Sequence, residues 1–331
     1  MTNPILADVT RGGIVESCHT GAYAVIGFDG ELIASAGDIG RPVFPRSAIK
    51  AFQCLPVIES GAADRFGFSD EEIALCCSSH NGEADHVRAA RSILAKAGTS
   101  EAHYECGAHW PYEEKALHGM IRAGEAALQV HNNCSGKHAG MLAVARALGA
   151  GSSGYIKVDH AVQRASAAVI NALCDVDVDT LAMGIDGCSI PTWAIPLRNQ
   201  ALGFSRFASG AGLGAARSAA AKRIIAACRA HPFMVAGSGR FCTRLMEALP
   251  RAFVKVGAEG VYCGCVPHAG IGIALKIDDG ASRAAEVAMA KVLAGLDVWT
   301  AMERDVLRGL AGAELNNWRK VHVGDVKAAI V

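Results

Sequence analysis

The segment Arg46-Ser47-Ala48-Ile49-Lys50 holds a Ser-x-x-Lys. A helix starting at Ser47 places Lys50 almost one turn later on the same face. A serine hydroxyl is a poor nucleophile until a base takes its proton, and a neutral lysine amine can be that base. Two further pairings follow: Ser79-His80-Asn81, a Ser-x-Asn, and Lys255-Val256-Gly257, a Lys-x-Gly at the end of a predicted strand. Ser47 would act as nucleophile or proton relay with Lys50 as its base, and Lys255 would serve Ser79 from a facing strand. A free lysine, with pKa about 10.4, is a poor base at neutral pH. Burial and a second cation both push it down, and a cleft gathering Lys50, Lys255 and Arg46 supplies both. Arg46, Asn81 and His80 are the candidate contacts to substrate. The same residues also have plainer uses: Ser79 as the cap of the helix after it, Lys255 as an exposed charge at a strand end.

A second group lies in His131-Asn132-Asn133-Cys134-Ser135-Gly136-Lys137-His138 and in Gly184-Ile185-Asp186-Gly187-Cys188. Thiolates and imidazole suit zinc, and Cys134, Cys188, His138 and Asp186 make a legitimate ligand count. Lys137 would have to be neutral to join them. The alternative is that both thiols are simply buried.

These side chains need elements to hold them. Gly21 to Phe28, Asp29-Gly30 and Leu32 to Ala36 read as a hairpin. A Gly/Pro loop then delivers the chain to Arg46, and a helix is predicted from about Ser47 to Ser60, kinked or shortened at Pro56. Ser69 to Glu72 is a capping box. Helices are predicted over about 83–97, 113–123, 139–148, 159–174 and 216–230, with another capped by Ser238. Ala252 to Val256, Val261 to Val266 and Gly270 to Ile277 read as strands, followed by helices at about 282–294 and 297–310. Strands at both chain ends and helices between them imply an α+β fold, a single catalytic unit over 1–331. Residues 1–46 plus about 250–331 form a sheet lobe, and about 47–249 form a mostly helical lobe with the cleft between the two.

Half the residues are hydrophobic and 19% are charged, so a sizeable core is expected. Lys+Arg and Asp+Glu both number 32, which gives no electrostatic case for nucleic acid or an anionic membrane. No apolar run is long enough to span a bilayer, and the first residues lack the apolar core of a secretory signal. Twelve cysteines with mostly apolar neighbours read as free thiols in a reducing cytoplasm.

The order Ser-x-x-Lys, Ser-x-Asn, Lys-x-Gly matches that of serine β-lactamases and penicillin-binding proteins. Here Ser47 and Ser79 stand closer in sequence than in a typical β-lactamase lobe. More specifically, Pro45 to Gln53, Cys77 to Gly82, His131 to His138 and Gly184 to Cys188 together resemble the L-asparaginases of the Rhizobium etli type, the asparaginase II family. The resemblance covers nearly the whole chain, and Asn-Asn-Cys-Ser-Gly-Lys-His is its most specific piece. It implies a β-lactamase-like fold, a homodimer, and hydrolysis of L-asparagine to L-aspartate and ammonia. It also implies two Ser-Lys tandems, Ser47-Lys50 and Ser79-Lys255, and zinc held by Cys134, Lys137 and Cys188, with Asp186 and His138 around it. Other readings are a glutaminase or β-lactamase-like amidohydrolase on the same fold, or a non-catalytic amino-acid or metal sensor.

Overall fold

The computed structural model describes residues 2–330. The N-terminal segment supplies β1 (Ile5–Arg11), β2 (Ile14–Ile26) and β3 (Leu32–Ala36). The middle holds only short strands, β4 (Pro42–Val43), β5 (Met183–Ile185), β6 (Pro191–Trp193) and β7 (Ile195–Pro196). The last third gives β8 (Phe253–Val256), β9 (Val261–Val266), β10 (Ile271–Ile277), β11 (Gly312–Asn316) and β12 (His322–Ala328). Eight of these form one antiparallel sheet in the order β11-β12-β1-β2-β10-β9-β8, with β3 also on β2. β2 is its spine: Asp8 of β1 pairs with Cys18, and Ala274 of β10 pairs with Ala24. The α+β architecture expected from the sequence is therefore present, with strands from both chain ends side by side and helices between.

β1, β11 and β12 extend this sheet beyond the predicted strands. β11 and β12 are largely exposed and carry few apolar residues, so backbone pairing rather than an apolar face defines them. A helix absent from the sequence reading, Leu197–Ser209, lies directly on the sheet. Its seat is Gly272 of β10, where a Cβ would fall 2.1 Å from the Ala201 carbonyl oxygen and the Ser205 nitrogen. The buried Ser205 hydroxyl donates to the carbonyls of Gly27 (2.6 Å) and Gly270 (2.8 Å), joining the helix to both neighbouring strands. Phe204 then links Phe253 of β8 to Phe52, at ring separations of 6.5 and 4.5 Å. Phe52 belongs to the helix Lys50–Glu59, so this aromatic contact sets that helix against the sheet.

The segment after Pro45 is a 3-10 turn, Arg46–Ile49, and the α-helix begins only at Lys50. It runs through Pro56 to Glu59 without the early stop expected there. The Ser69 capping box is formed and opens the helix Asp70–Cys76. Ser238 caps nothing: the helix Phe241–Ala248 starts after Arg240, and the Ser238 hydroxyl donates to Glu83 instead. No helix among the described residues is long and apolar enough to cross a membrane.

Candidate active site

The lysines are where burial matters most. Lys50 and Lys255 are both fully buried, and a buried ammonium needs acceptors. Lys50 Nζ donates to the Ser78 carbonyl (2.5 Å), the Ser79 hydroxyl (3.0 Å) and the Cys134 sulfur (3.1 Å). Lys255 Nζ reaches the same Ser79 Oγ at 2.8 Å and the Val256 carbonyl at 2.9 Å. Ser79 thus bridges the two lysines. Register explains the aim of Lys255: it pairs with Cys263 of β9, whose thiol meets Gln200, so both side chains point to the helical side of the sheet. Gly257 follows, and a Cβ there would lie 2.7 Å from the Pro45 carbonyl oxygen. The glycine of Lys-x-Gly lets the strand carrying Lys255 lie flush against the approach to Ser47.

Burial pushes Lys255 down to about 7, reinforced by the neighbouring Lys50. It is no exposed strand-end charge. Ser79 is no helix cap either, since Glu83 precedes the helix Ala84–Lys96. Its backbone nitrogen donates to Val235 at 2.9 Å.

Ser47 sits differently. It is half-buried, and its hydroxyl makes no hydrogen bond to Lys50, whose amine turns to Ser79. Arg46, just before it, has φ of 51°, a left-handed conformation rare for a non-glycine residue. Such strain persists where the surroundings over-determine it. Here Arg46 Nε is fixed on Asp186 Oδ1 at 2.6 Å, with the side chain 28% exposed. Burial pushes the Asp186 carboxyl up, but Lys137 and Arg46 outweigh it and hold it ionised.

Cys134, Lys137 and Cys188 converge beside Lys50, all buried. Lys137 Nζ lies 3.0 Å from Cys188 Sγ, and Asp186 Oδ2 stands 3.9 Å from the same sulfur. The mutual influence of the two thiols drives them apart in acidity. With burial it pushes Cys134 up to about 12; against burial, and helped by Lys137, it brings Cys188 down to about 5. Burial works against charge on Lys137, but the two sulfurs and Asp186 win and raise it. Among the described residues, no three His, Cys, Asp or Glu side chains group to hold a metal ion. The third donor beside these two thiols is the lysine.

The expected substrate contacts divide. Arg46 keeps part of its side chain accessible. His80 is fully buried and both ring nitrogens are engaged, Nε2 with Ser135 Oγ (2.9 Å) and Nδ1 with the Gly82 N–H (3.0 Å). It is a packing residue, neutral because burial holds it well below its ordinary pKa. Asn81 is 5% exposed, with its amide spent on Ser238 and Arg240. His138 bonds Tyr155 OH through Nδ1 at 2.7 Å, and burial brings it down to about 3. Arg240 was not among the sequence candidates. Its only local signal is the Gly237-Ser238-Gly239 run before it, and its partner Asn81 is far away in the chain.

A family profile described as L-asparaginase II matches residues 7–328, nearly the whole chain. No curated protein matches. Among solved structures, the native form of Mglu is similar at 14% identity and a TM-score of 0.44, over 82% of this chain and 62% of that one. The chain thus spans under two thirds of that protein's length. A β-lactamase from Mycobacterium bovis is similar at 15% identity and a TM-score of 0.40, over 88% of this chain and 95% of that one.

Proposed function

The chain belongs to the L-asparaginase II family, and on that premise we propose that it hydrolyses L-asparagine to L-aspartate and ammonia through an ester on Ser47. The observation that carries this reading is Ser79 Oγ between Lys50 Nζ and Lys255 Nζ, at 3.0 and 2.8 Å. A nucleophile must be reachable by its substrate. Ser79 is 4% exposed and held by two lysines, which suits a proton relay. Ser47 is half-buried with its hydroxyl uncommitted to Lys50, which suits the attacking group.

The proton steps balance as a chain. Neutral Lys255 takes the Ser79 proton, Ser79 is refilled by Lys50, and Lys50 accepts the proton of Ser47 as its oxygen bonds the side-chain amide carbon. The Ser47–Lys50 contact is the one link not made in this structure, and such links commonly tighten on substrate binding. Reversal of the chain protonates the departing nitrogen as the C–N bond breaks and ammonia leaves. Water then attacks the ester by the same route, restoring Ser47. Arg46 is placed to pair with the substrate carboxylate.

Zinc fits the donor set once Lys137 gives up its proton, because two thiols and an amine converge and one thiol is already acidic. Cys134, Lys137 and Cys188 would hold it. A bound zinc would supply a fixed positive charge that orients the substrate beside Ser47.

The test is ammonia release by Ser47→Ala and Ser79→Ala, with mass spectrometry of acid-quenched enzyme. Ser47→Ala is expected to lose about 10³-fold or more in kcat, the scale of removing a nucleophile. The acyl group should map to the peptide holding Ser47. Unimpaired Ser47→Ala, or an ester on Ser79, refutes the assignment. Parallel assays with glutamine separate an asparaginase from a glutaminase.

A further inference from the structure

One of the segments that hold the loop carrying Ser79 lies far away in the chain. The Ser79 nitrogen donates to the Val235 carbonyl. Two residues on, Asn81 is gripped on every side. Its carbonyl accepts from the backbone nitrogens of Tyr112 (2.8 Å) and Glu113 (3.2 Å). Its Nδ2 donates to the Ser238 carbonyl at 3.2 Å, and its Oδ1 accepts from Arg240 Nη1 at 3.0 Å. Glu83 accepts from the Ser238 nitrogen (2.8 Å) and hydroxyl (2.7 Å). Gly237, at φ of 110°, allows this approach: a Cβ there would lie 2.7 Å from both Asn81 Nδ2 and Glu83 Oε1. Residues 235–240 are thus laced to residues 79–83, and Arg240 is the one cation in the lacing.

We propose that Arg240 is a positioning residue of the amide hydrolysis, fixing Asn81 and, through it, the loop that holds Ser79 between the two lysines. This rests on the relay role given to Ser79 above. A guanidinium makes a stronger, charge-assisted bond to the amide oxygen than a neutral donor would. Its charge acts on the relay as well. Lys255 is depressed first by burial, then by Lys50; Cys242 opposes this, Arg240 adds to the depression, and Cys134 opposes it again. The other groups facing Lys255 are Cys77, Cys134, Cys228, Cys242 and Cys263, and none of these is a cation. Arg240 therefore both sets the relay's place and helps keep its terminal amine able to accept a proton.

The experiment compares Arg240→Gln, Arg240→Lys, Asn81→Leu and the Arg240→Gln/Asn81→Leu double variant. Ammonia release is followed across neutral pH, and urea unfolding is measured alongside. Arg240→Gln should lower kcat about tenfold or more with a smaller change in KM. It should also move the acid limb of kcat/KM upward by about half a pH unit or more, the effect of losing one nearby charge. Arg240→Lys should recover part of both. The double variant should be no worse than the poorer single, as expected for residues acting as one unit. An unmoved acid limb, an equally impaired Arg240→Lys, or additive losses in the double variant would overturn the proposal. If Arg240→Gln does not fold, Arg240→Lys decides: a partial fall in kcat with KM little changed supports the proposal, and kcat and KM both at wild-type values overturn it. A wild type with no acid limb near neutral pH, together with full activity in Ser79→Ala, would sink the relay itself and this inference with it. Failure confined to the Arg240 variants sinks only the inference.

Discussion

Replacing Lys255 with methionine should produce a dead enzyme that is harder to unfold. Lys255 is buried, and its folded pKa falls from 10.5 to about 7. At about 1.36 kcal/mol per pH unit, folding spends at most about 5 kcal/mol on this one group. The sign follows from proton counting. Between pH 7 and 10.5 the unfolded chain keeps the proton that the native state has lost, so stability rises with pH in that window. The penalty is full below about pH 7 and gone above 10.5. Methionine fills similar volume without charge. It removes one of the two lysine donors to the Ser79 hydroxyl and the Lys255 donor to the Val256 carbonyl, at about 1 kcal/mol each. The net expectation at neutral pH is a gain of about 2 to 3 kcal/mol. Urea unfolding at pH 7 should show it as a higher midpoint with an unchanged slope. A melting temperature higher by roughly 2 °C per kcal/mol should accompany it. The advantage should shrink as pH approaches 10, while ammonia release is absent throughout. A Lys255→Met protein less stable than wild type at pH 7, or a difference that does not change with pH, would refute the reasoning.

Two other outcomes follow from named contacts. Gly272→Ala should destabilise by roughly 3 kcal/mol or more, because its Cβ would collide with backbone atoms of Ala201 and Ser205 rather than with a movable side chain; urea unfolding measures this directly, and a loss within 1 kcal/mol would contradict the seat described for that helix. Cys188→Ser should lower zinc affinity about 100-fold or more relative to wild type, read by competition with a chromophoric chelator. Zinc retained equally by both proteins would remove Cys188 from the ligand set.

The legible parts of this chain were those where local chemistry and tertiary environment agree. The Ser69 capping box, the hairpin leading to Ala36 and the strands carrying Lys255 and Cys263 each have a complete local signal. Lys50, Ser79 and Lys255 could be nominated from motif order, and they meet at one hydroxyl. What the sequence could not convey is where an amine turns. Lys50 lies three residues after Ser47 but reaches Ser79 and Cys134, because burial rewards the larger number of acceptors. His80 and Asn81 stand beside Ser79 and so invited a substrate role, yet the hydrogen bonds of both go to holding the loop. The helix Leu197–Ser209 and strands β11 and β12 depend on contacts with distant segments, and nothing in their own residues announced them.

The pairing of β2 with β10 carries a consequence for how the enzyme comes into being. Ala24 waits for Ala274 to be synthesised before its strand can pair on that side. Until then a ribosome-bound chain carries Lys50 and Ser79 without the completed sheet that seats Lys255 against them, and the β2 edge stays open to other unpaired strands. Such long-range closure is slow. If Lys255 acts as proposed, reactivity would be withheld from the nascent polypeptide until β8, β9 and β10 dock on β2. A truncated product of interrupted translation would be an aggregation hazard, not a partially active hydrolase.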